Sequence, residues 1–346
     1  RSCCAPSGSC SAAVSELRAA CFGREPERDG WPSVSVVIPV RNEAPYLADA
    51  VASVLAQRYP GALDVCLAVA PSDDGTETIA STMADDDDRI VVAANPLAIT
   101  PAGLNAGIAA TSGEVIVRVD GHAELSDGYI RSAVLTMCRT GAVNVGGMQV
   151  PAPRSAFEEA VAGATTSRMG TGGAPYRIGG DAGAVDTVYL GVFDRAAGDL
   201  VGWFDETLIR NQDYELNIRL RAAGGTVWFD PDLRVGYRPR ASWTALAKQY
   251  YEYGWWKAEV LRRHPGSLRL RQMIPPVAVT AAVAGAGAAP RHRWAALLPI
   301  GYVAALAMAS AGTRRRGLTS VALATIHGCW SVGLLSGFAS RRRAAR

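Results

Sequence analysis

The first 120 residues alternate between short apolar stretches and stretches whose apolar residues recur at helical spacing. This alternation predicts an α/β fold, in which a mostly parallel sheet is covered by helices on both faces. In such folds the ligand binds beside the carboxyl ends of the strands, so polar residues that follow a strand are candidates for the site. The predicted strands cover residues 34–39, 63–70, 89–94 and 114–119, and helices are expected over 46–55 and 101–110.

Regular elements continue through residues 141–240, although glycine is more frequent there. We expect one domain over 33–240, preceded by a polar leader over 1–32 that lacks the apolar core of a signal peptide. The formal net charge of +3 is too small to indicate a nucleic-acid partner, and the seven cysteines lack the spacing of a zinc site. Further strands are predicted at 144–150, 186–193 and 226–229, and helices at 155–168 and 213–223.

Residues 241–272 are predicted to form an amphipathic helical segment rich in aromatic side chains. Trp243, Tyr250, Tyr253 and Trp256 recur at helical spacing, and lysines and arginines occupy other positions. This pattern is typical of a helix that lies in a membrane interface. The alternative is a helix packed on the core of the domain.

Three apolar stretches follow, over 273–290, 294–313 and 317–340, separated only by short arginine clusters. A bilayer crossing needs roughly 17–25 apolar residues, so these stretches predict two to three transmembrane helices and a multi-pass protein of the cell membrane. The basic tail 341–346 would flank the membrane, although the arginines do not settle the topology. The alternative is that all three stretches are buried helices of a soluble protein.

The predicted strand 114–119 is followed directly by Asp120, Gly121 and His122. Side chains two residues apart in an extended segment point the same way, so Asp120 and His122 could bind one divalent cation. Such a cation, Mg²⁺ or Mn²⁺, neutralises the charge of a diphosphate, and the histidine favours Mn²⁺. The alternative is an ordinary polar turn after a strand.

Asp213 lies in the segment 211–217, which opens a predicted helix. A carboxylate there could project into the ligand cleft and act as a general base toward a hydroxyl group. The alternative is that Asp213 only caps the helix and interacts with its dipole. The segment 72–76, with Ser72 and Asp74, also leads from a strand into a helix, where it could contact a bound nucleotide or form only a loop.

Several motifs occur in a defined order over residues 33–240. They are Val34-Ser-Val-Val-Ile-Pro-Val-Arg-Asn-Glu43, Leu104-Asn105-Ala106-Gly107, Gly113-Glu-Val-Ile-Val-Arg-Val-Asp120, Phe204-Asp205-Glu206 and Gln212-Asp213. In this order and spacing they resemble the family 2 glycosyltransferases, whose fold is the nucleotide-diphospho-sugar transferase fold called GT-A. The resemblance implies an inverting hexosyltransferase that uses a nucleotide-diphospho-sugar, with a UDP-sugar expected, and a divalent cation.

The resemblance also assigns expected roles to individual residues. Asp213 would be the catalytic base of the inverting transfer, and Asp120 and His122 would bind the cation and the donor diphosphate. With the turn residues included, those expected to bind the nucleotide-sugar are Pro39, Arg41, Glu43, Ser72, Asp74 and Asp120.

Three segments, 120–123, 186–193 and 249–257, are similar to bacterial exopolysaccharide transferases of the succinoglycan type. The similarity implies a lipid-linked acceptor, a polyprenyl-diphosphate-linked glycan, and a catalytic domain at the cytoplasmic face of the membrane. The residues expected at the acceptor or at the membrane interface are Gln249, Tyr253, Trp255 and Trp256.

The chain also departs from the family pattern. The second strand ends in Ala68-Val-Ala-Pro-Ser72, without the acid that usually reads the base, and His122 replaces a second metal-binding carboxylate. Gln212 replaces the glutamate of the Glu-Asp pair. The Gln-x-x-Arg-Trp motif of processive polysaccharide synthases is absent, which argues against that alternative. A catalytically silent membrane scaffold with the same fold is a further alternative, and the presence of Asp213 and Glu43 argues against it.

Overall fold

The computed structural model describes residues 17–340, so residues 1–16 of the predicted leader and the predicted basic tail 341–346 lie outside the described residues. The strands are β1 (Val34–Val40), β2 (Leu63–Val69), β3 (Ile90–Ala94), β4 (Val115–Arg118), β5 (Glu124–Leu125), β6 (Asn144–Pro151), β7 (Gly183–Ala184), β8 (Tyr189–Asp194) and β9 (Val227–Tyr237). The helices are α1 (Pro26–Asp29), α2 (Leu47–Leu55), α3 (Thr76–Asp86), α4 (Thr100–Ala109), α5 (Tyr129–Thr140), α6 (Ala156–Thr165), α7 (Arg168–Thr171), α8 (Pro175–Ile178), α9 (Arg195–Val201), α10 (Gln212–Ala222), α11 (Trp243–Arg263), α12 (Leu270–Ala288), α13 (Leu297–Ala309) and α14 (Arg316–Ala339).

The nine described strands form one sheet in the order β3-β2-β1-β4-β8-β6-β9-β5, with β7 paired to β9. The longest pairings are parallel: Val34 of β1 lies opposite Leu63 of β2 and Val115 of β4, and β6 runs parallel to β9. Strand β8 is antiparallel to both β4 and β6. The predicted α/β fold with a mostly parallel sheet is confirmed, whereas the direction of β8 is not visible in the sequence because buried strands of either direction have similar apolar runs.

Helix α4 packs closely on β1 because two of its residues have no side chain. A Cβ atom at Gly103 would lie 3.2 Å from Cβ of Pro39, and one at Gly107 would collide with the side chain of Val37. Glycine in a helix interior costs up to about 1 kcal/mol relative to alanine, so this packing is obtained at the expense of helix propensity. The close contact fixes the carboxyl end of β1, after which Arg41 begins the loop into α2.

Helix α5 corrects the predicted organisation, in which no element covers residues 123–140. Glycines with positive φ lie at both of its ends, Gly128 at 69° and Gly141 at 73°. Ile130, Val134 and Met137 are buried at the spacing of an amphipathic helix. The helix covers the part of the sheet formed by β6 and β9.

Strand β8 begins with an unusual backbone conformation. Leu190 has a φ of 57° and Gly191 a φ of 59°, both in the left-handed region, which is costly for leucine. In the neighbouring strand, the pairing with β8 shifts register between Val145 and Gly147. Irregularities of this kind are common next to active sites, and Tyr189, which precedes Leu190, lines the cavity described below.

Helix α11, the predicted interfacial helix, packs against the domain and against α14. Two residues of its predicted aromatic face, Tyr250 and Trp256, are only 6% and 8% exposed. The structure therefore agrees with the packed-helix alternative for most of this helix. Contact with a membrane interface stays a prediction for its exposed residues, among them Trp243.

Glycine residues allow α11 and α14 to approach backbone to backbone. Gly254 of α11 faces the carbonyl oxygen of Trp330, and Gly333 of α14 faces the carbonyl oxygen of Tyr251, with no room for a Cβ atom at either position. One helical turn further along α14, a Cβ atom at Gly337 would lie 2.6 Å from a carbonyl oxygen of α11. Small residues four positions apart commonly mediate such close helix packing. We call these three residues the glycine seam.

Among the helices of residues 17–340, one, α14 with 24 residues, is long and apolar enough to cross a membrane. The apolar window of α14 is also 44% buried in the protein, a feature that it shares with core helices of soluble proteins. The stretch predicted at 294–313 forms a shorter apolar helix, Arg293–Ala309, and α12 contains Pro275 and Pro276. The described helices thus supply one candidate crossing where two to three were predicted.

The outer surface of α12–α14 is strongly apolar. Ile274, Val283, Trp294, Leu297 and Met308 are between 56% and 72% exposed. An extended apolar surface of this kind is typical of a region that contacts lipid or another protein.

Candidate active site

A cavity of about 650 Å³ lies beside the carboxyl ends of β1 and β4, and residues of α10 and α11 form other parts of its wall. This volume is in the range of small-molecule binding sites. The fold brings eight of the predicted site residues into its lining: Pro39, Arg41, Glu43, Asp120, His122, Asp213, Gln249 and Tyr253.

Glu43 and His122, which follow the carboxyl ends of β1 and β4, form a hydrogen bond with each other. Oε1 of Glu43 lies 2.9 Å from Nδ1 of His122, and this contact raises the pKa of His122 although burial acts in the opposite direction. The contact orients the imidazole ring and leaves Nε2 for another partner. Metal-binding histidines usually have this arrangement, in which a carboxylate holds the second ring nitrogen.

The acids and histidines of the site are too few to enclose a cation on their own. Within the described part of the chain, no group of three or more histidine, cysteine or acidic side chains has the geometry of a metal site. Asp120 and Nε2 of His122 could provide two protein ligands, with the remaining positions left to substrate phosphates and water. Mg²⁺ and Mn²⁺ sites for phosphate substrates are often of this open kind.

Arg118 is a site residue that belongs to the motif ending at Asp120 but to which the sequence patterns assign no role. Its Nη2 atom donates a hydrogen bond to Oδ1 of Asp120 at 3.0 Å, and its Nη1 atom lies 3.9 Å from Oδ2 of Asp213. Burial lowers the pKa of Arg118, but the two carboxylates outweigh this effect and raise it overall. The signal in the sequence is an arginine at the end of the otherwise apolar strand Val115–Arg118.

The charge of Arg118 also acts on Asp120. Burial raises the pKa of this carboxyl group, but Arg118 and His122 outweigh burial and lower it overall. In contrast, burial and the nearby Asp120 together hold the pKa of Tyr189 well above its usual range. The site therefore presents an anionic carboxylate next to a neutral phenol.

Asp213 is the second residue of α10, and its two oxygens have different surroundings. Oδ1 accepts a hydrogen bond from the backbone N–H of Tyr214 at 2.8 Å, whereas Oδ2 faces Arg118 in the cavity. The N-cap position belongs to Asn211, which has a φ of 61° and no side-chain cap bond. A role of Asp213 in capping the helix therefore explains the contact of Oδ1 with the backbone, but it does not explain why Oδ2 faces Arg118.

Ser72 and Asp74 lie outside the cavity lining and instead hold the loop that carries Arg41 and Glu43. The backbone N–H of Asn42 donates to Oγ of Ser72 at 3.1 Å, and that of Ala44 donates to Oδ2 of Asp74 at 3.0 Å. Direct contact of either side chain with a nucleotide stays a prediction. Their observed contacts position the β1–α2 loop.

Trp255 and Trp256, which were expected at the acceptor or at the membrane interface, also lie outside the cavity lining. Trp256 packs with Leu208, Tyr214 and Val260, and Trp255 packs against the same cluster. Only one face of a helix can line the cavity. On α11 that face carries four residues at helical spacing: Gln249, Tyr250, Tyr253 and Lys257.

The motif Phe204-Asp205-Glu206 is fastened to two neighbouring helices. Asn105 of α4 donates to the carbonyl oxygen of Phe204 at 2.8 Å and to Oε1 of Glu206 at 2.9 Å. Asp205 forms an ion pair with Arg263 of α11. These contacts place the loop before α10 and thereby the start of the helix that carries Asp213.

Comparison with known proteins identifies the family of the chain. Residues 35–180 match the family model described as "Glycosyl transferase family 2". The succinoglycan biosynthesis protein ExoA of Rhizobium meliloti (strain 1021) is 31% identical over 307 residues, which cover 86% of this chain and 92% of ExoA. The chain belongs to glycosyltransferase family 2.

The fold of this family 2 chain is similar to that of a solved glycosyltransferase. The mannosyltransferase PcManGT from Pyrobaculum calidifontis, determined in complex with GDP-Man and Mn²⁺, has a TM-score of 0.64 and 20% sequence identity. The match covers 88% of this chain and 87% of PcManGT. TarS 1-349 of S. aureus in complex with UDP matches with a TM-score of 0.47 and 14% identity, over 88% of this chain and 90% of that one. The expectation of a GT-A-like α/β fold is confirmed.

Family 2 membership confirms the resemblance carried by the ordered motifs. Residues 35–180 include the strand ends that carry Glu43, Asp120 and His122. Asp213 and α11 lie outside the region matched by the family model.

Proposed function

We propose that the protein is an inverting glycosyltransferase that moves a sugar from a nucleotide-diphospho-sugar to a lipid-linked acceptor in exopolysaccharide synthesis. The observation that carries the proposal is the cavity that Asp213 lines together with Asp120 and His122, with Arg118 in contact with both acids. One end of the arrangement suits a hydroxyl nucleophile, and the other suits a departing diphosphate.

In the proposed reaction Asp213 is the general base. Its side chain is 38% exposed, so an acceptor hydroxyl can reach it from the cavity. The carboxylate takes the hydroxyl proton while the acceptor oxygen attacks the anomeric carbon of the donor sugar. The bond between that carbon and the diphosphate oxygen breaks on the opposite face, which inverts the configuration. Direct displacement needs one base and no covalent intermediate, in agreement with a single acid at this position.

The donor diphosphate would lie beside Asp120, His122 and Arg118. A divalent cation, Mn²⁺ or Mg²⁺, held by Asp120 and His122 would act there as a Lewis acid for the leaving diphosphate. The complex of PcManGT with GDP-Man and Mn²⁺ supports both a nucleotide-sugar donor and a divalent cation. Arg118 adds a fixed positive charge in the same place and keeps Asp120 oriented.

The lipid-linked acceptor and the membrane location are supported by the C-terminal helices. Residues of α12 and α14, Gln272, Ile326 and Trp330 among them, line the same cavity as Asp213. The outer surfaces of these helices are apolar, and α14 has the length of a bilayer crossing. We therefore propose a cytoplasmic catalytic domain at the cell membrane. Whether α12 and α13 also cross, as a multi-pass protein requires, stays a prediction.

The name of ExoA, a succinoglycan biosynthesis protein, supports a role in exopolysaccharide synthesis. A processive synthase is less well supported, because the chain lacks the Gln-x-x-Arg-Trp motif. A silent scaffold would need neither an accessible base nor a cation site, yet Asp213, Asp120 and His122 share one cavity.

The proposal is tested with the full chain purified in detergent. We expect one of the UDP-, GDP- or dTDP-sugars, with Mn²⁺ or Mg²⁺, to raise the unfolding temperature, because ligand binding stabilises the folded state by mass action. With that donor and a polyprenyl-diphosphate-linked acceptor, Asp213→Asn should lower nucleotide release by about 10²- to 10⁴-fold, the usual range for a general base. The exposed Asp85→Asn is the matched control and should leave the rate unchanged. Equal rates of nucleotide release in Asp213→Asn and in the control would exclude a transfer reaction that uses Asp213 as its general base.

A further inference from the structure

Part of the cavity wall carries positive charge that no carboxylate of the protein balances. Within residues 17–340, seven arginine or lysine side chains line the cavity, against three carboxylates. Arg118, Arg210 and Arg271 are each paired with an acid. The side chains of Arg177 and Arg240 form neither an ion pair nor a hydrogen bond with any described residue, although the guanidinium of Arg177 lies over the ring of Tyr176, 5.4 Å from its centroid. A partly buried cation that no carboxylate balances is costly, so these two arginines indicate a site for an anionic ligand.

The two arginines without an acidic partner come from different elements and line the cavity together with Tyr253. Arg177 belongs to α8, and Arg240 follows β9. Arg177, Arg210 and Arg240 line the cavity together with Tyr253. Burial raises the pKa of Tyr253, while the charges of the three arginines act in the opposite direction. Because Arg210 is held by an acid of α11, two of the three remain available for a ligand.

The same cavity reaches the apolar helices at the C-terminal end of the described chain. Pro275 of α12 and Ile326 of α14 line it together with the arginines. On the outer surface of α12, Ile274 is 56% and Val277 60% exposed. The cavity therefore joins a cationic region to a surface suited to hydrocarbon.

We propose that Arg177 and Arg240, with the hydroxyl of Tyr253, bind the diphosphate of an isoprenoid diphosphate acceptor whose apolar chain runs along α12 and α14. The inference rests on the proposed function and names the group by which the acceptor is held. Guanidinium groups bind phosphate oxygens through paired N–H donors, and a phenol adds one further donor. The donor diphosphate has its own partners at Asp120, His122 and Arg118, so the two diphosphates occupy different parts of one cavity.

The test uses farnesyl diphosphate as the probe, titrated into the full chain in detergent by calorimetry without any donor. Arg177→Gln and Arg240→Gln should each weaken its binding by about tenfold, as expected for the loss of one charge-assisted hydrogen-bonding group. Both variants should bind the nucleotide-sugar as the wild type does. Arg234→Gln removes an exposed arginine of β9 that does not line the cavity, and it should change neither affinity.

Two further ligands distinguish the contribution of the isoprenoid chain to binding from that of the diphosphate group. Inorganic diphosphate should bind more weakly than farnesyl diphosphate but with the same dependence on Arg177, and farnesol should not depend on Arg177 at all. If inorganic diphosphate binds as tightly as farnesyl diphosphate, the isoprenoid chain makes no contribution to binding, and the proposed contact of that chain with α12 and α14 is contradicted.

Other outcomes would overturn the site itself. An unchanged affinity for farnesyl diphosphate in both glutamine variants would do so, and so would an equal loss of nucleotide-sugar affinity, which would assign the arginines to the donor. Arg177→Lys, which keeps the charge and loses the paired donors, should bind with intermediate affinity, and this second variant covers the case in which Arg177→Gln does not fold. Arginine-dependent binding without any acceptor-dependent nucleotide release would contradict the proposed function and leave the binding site intact.

Discussion

Arg118 and Asp213 face each other in the candidate active site, with Nη1 of the arginine 3.9 Å from Oδ2 of the aspartate. The guanidinium also donates to Asp120 at 3.0 Å, so one cation orients the proposed base and an acid of the proposed cation site. The arginine side chain is only 10% exposed and the Asp213 side chain 38%. Arg118 is therefore held in place by its surroundings, whereas Asp213 remains accessible to an acceptor.

Replacing Arg118 should affect both stability and turnover. Arg118→Met leaves Asp120 without its partner, and removal of one member of a buried pair costs about 3 kcal/mol of unfolding free energy. Arg118→Lys keeps the charge but lacks the planar fork, so we expect a near-normal stability and a lower kcat. Urea unfolding and steady-state kinetics measure the two effects. Arg234→Met is the exposed control, and a stability of Arg118→Met equal to that control would contradict the pairing.

Glu43 should act on metal affinity through His122. Glu43→Gln weakens the 2.9 Å contact to Nδ1, and loss of such a supporting carboxylate typically lowers metal affinity by about 10- to 100-fold. The Mn²⁺ concentration for half-maximal activity, measured after removal of metal by a chelator, reports this change. The exposed Glu124→Gln should not alter it. Equal Mn²⁺ dependence of Glu43→Gln and the wild type would show that His122 is not held for a cation.

Asp74 and its neighbour Asp73 provide a matched pair in the loop after β2. The carboxylate of Asp74 accepts from the backbone N–H of Ala44, whereas Asp73 takes part through its backbone N–H. Asp74→Ala should therefore loosen the loop that carries Arg41 and Glu43 and raise the KM for the donor more than it lowers kcat. Asp73→Ala removes the same charge and should leave KM unchanged. A similar KM in the two variants would contradict a positioning role for Asp74.

Lys257 should make stability depend on pH in the alkaline range. Burial lowers its pKa to about 7, against about 10.4 for lysine in an unfolded chain. Between these values the unfolded chain binds a proton that the folded chain does not, so the unfavourable contribution of Lys257 diminishes as the pH rises. The free energy of unfolding of Lys257→Met relative to wild type should therefore be most favourable near pH 7 and decline toward pH 10.

Urea unfolding of both proteins across that range measures the difference. Lys248→Met, at a side chain that is 78% exposed, serves as the control and should show a difference independent of pH. A flat difference for Lys257→Met as well would show that the lysine is solvated in the folded protein.

The glycine seam should be sensitive to a single methyl group. A Cβ atom at Gly333 would collide with the backbone of α11, whereas one at Gly328 of the same helix would meet nothing within 4 Å. Gly333→Ala should lower the unfolding temperature and the activity, because α11 carries part of the cavity wall. Gly328→Ala should leave activity unchanged and stabilise α14 by up to about 1 kcal/mol through helix propensity. The reverse order of stability would contradict the packing of the two helices.

Sequence patterns predicted most of the parallel strands and the acids that follow them, because local spacing and burial determine both. The site residues that these patterns do not indicate are brought to the cavity by tertiary structure. Arg177 lies in a four-residue helix within a glycine-rich region and has no periodic signal. Arg118 was visible as a charge within an apolar strand, but its two partners are separated by nearly a hundred residues. Trp255 and Trp256 were expected at the acceptor or at the membrane interface because aromaticity can be read from a sequence, whereas the face that α11 turns toward the cavity cannot.

The glycine seam has a consequence for how the protein can be divided. Residues 33–240 look like a separable catalytic unit, yet α11 contributes Gln249 and Tyr253 to the cavity and is itself packed against α14. A fragment cut before α11 would have an open-sided cavity, and one cut before α14 would expose the bare backbone of α11 at Gly254. The catalytic domain and the candidate membrane helix are therefore not separate modules, and a fragment without α14 would need a substitute for the lost helix surface.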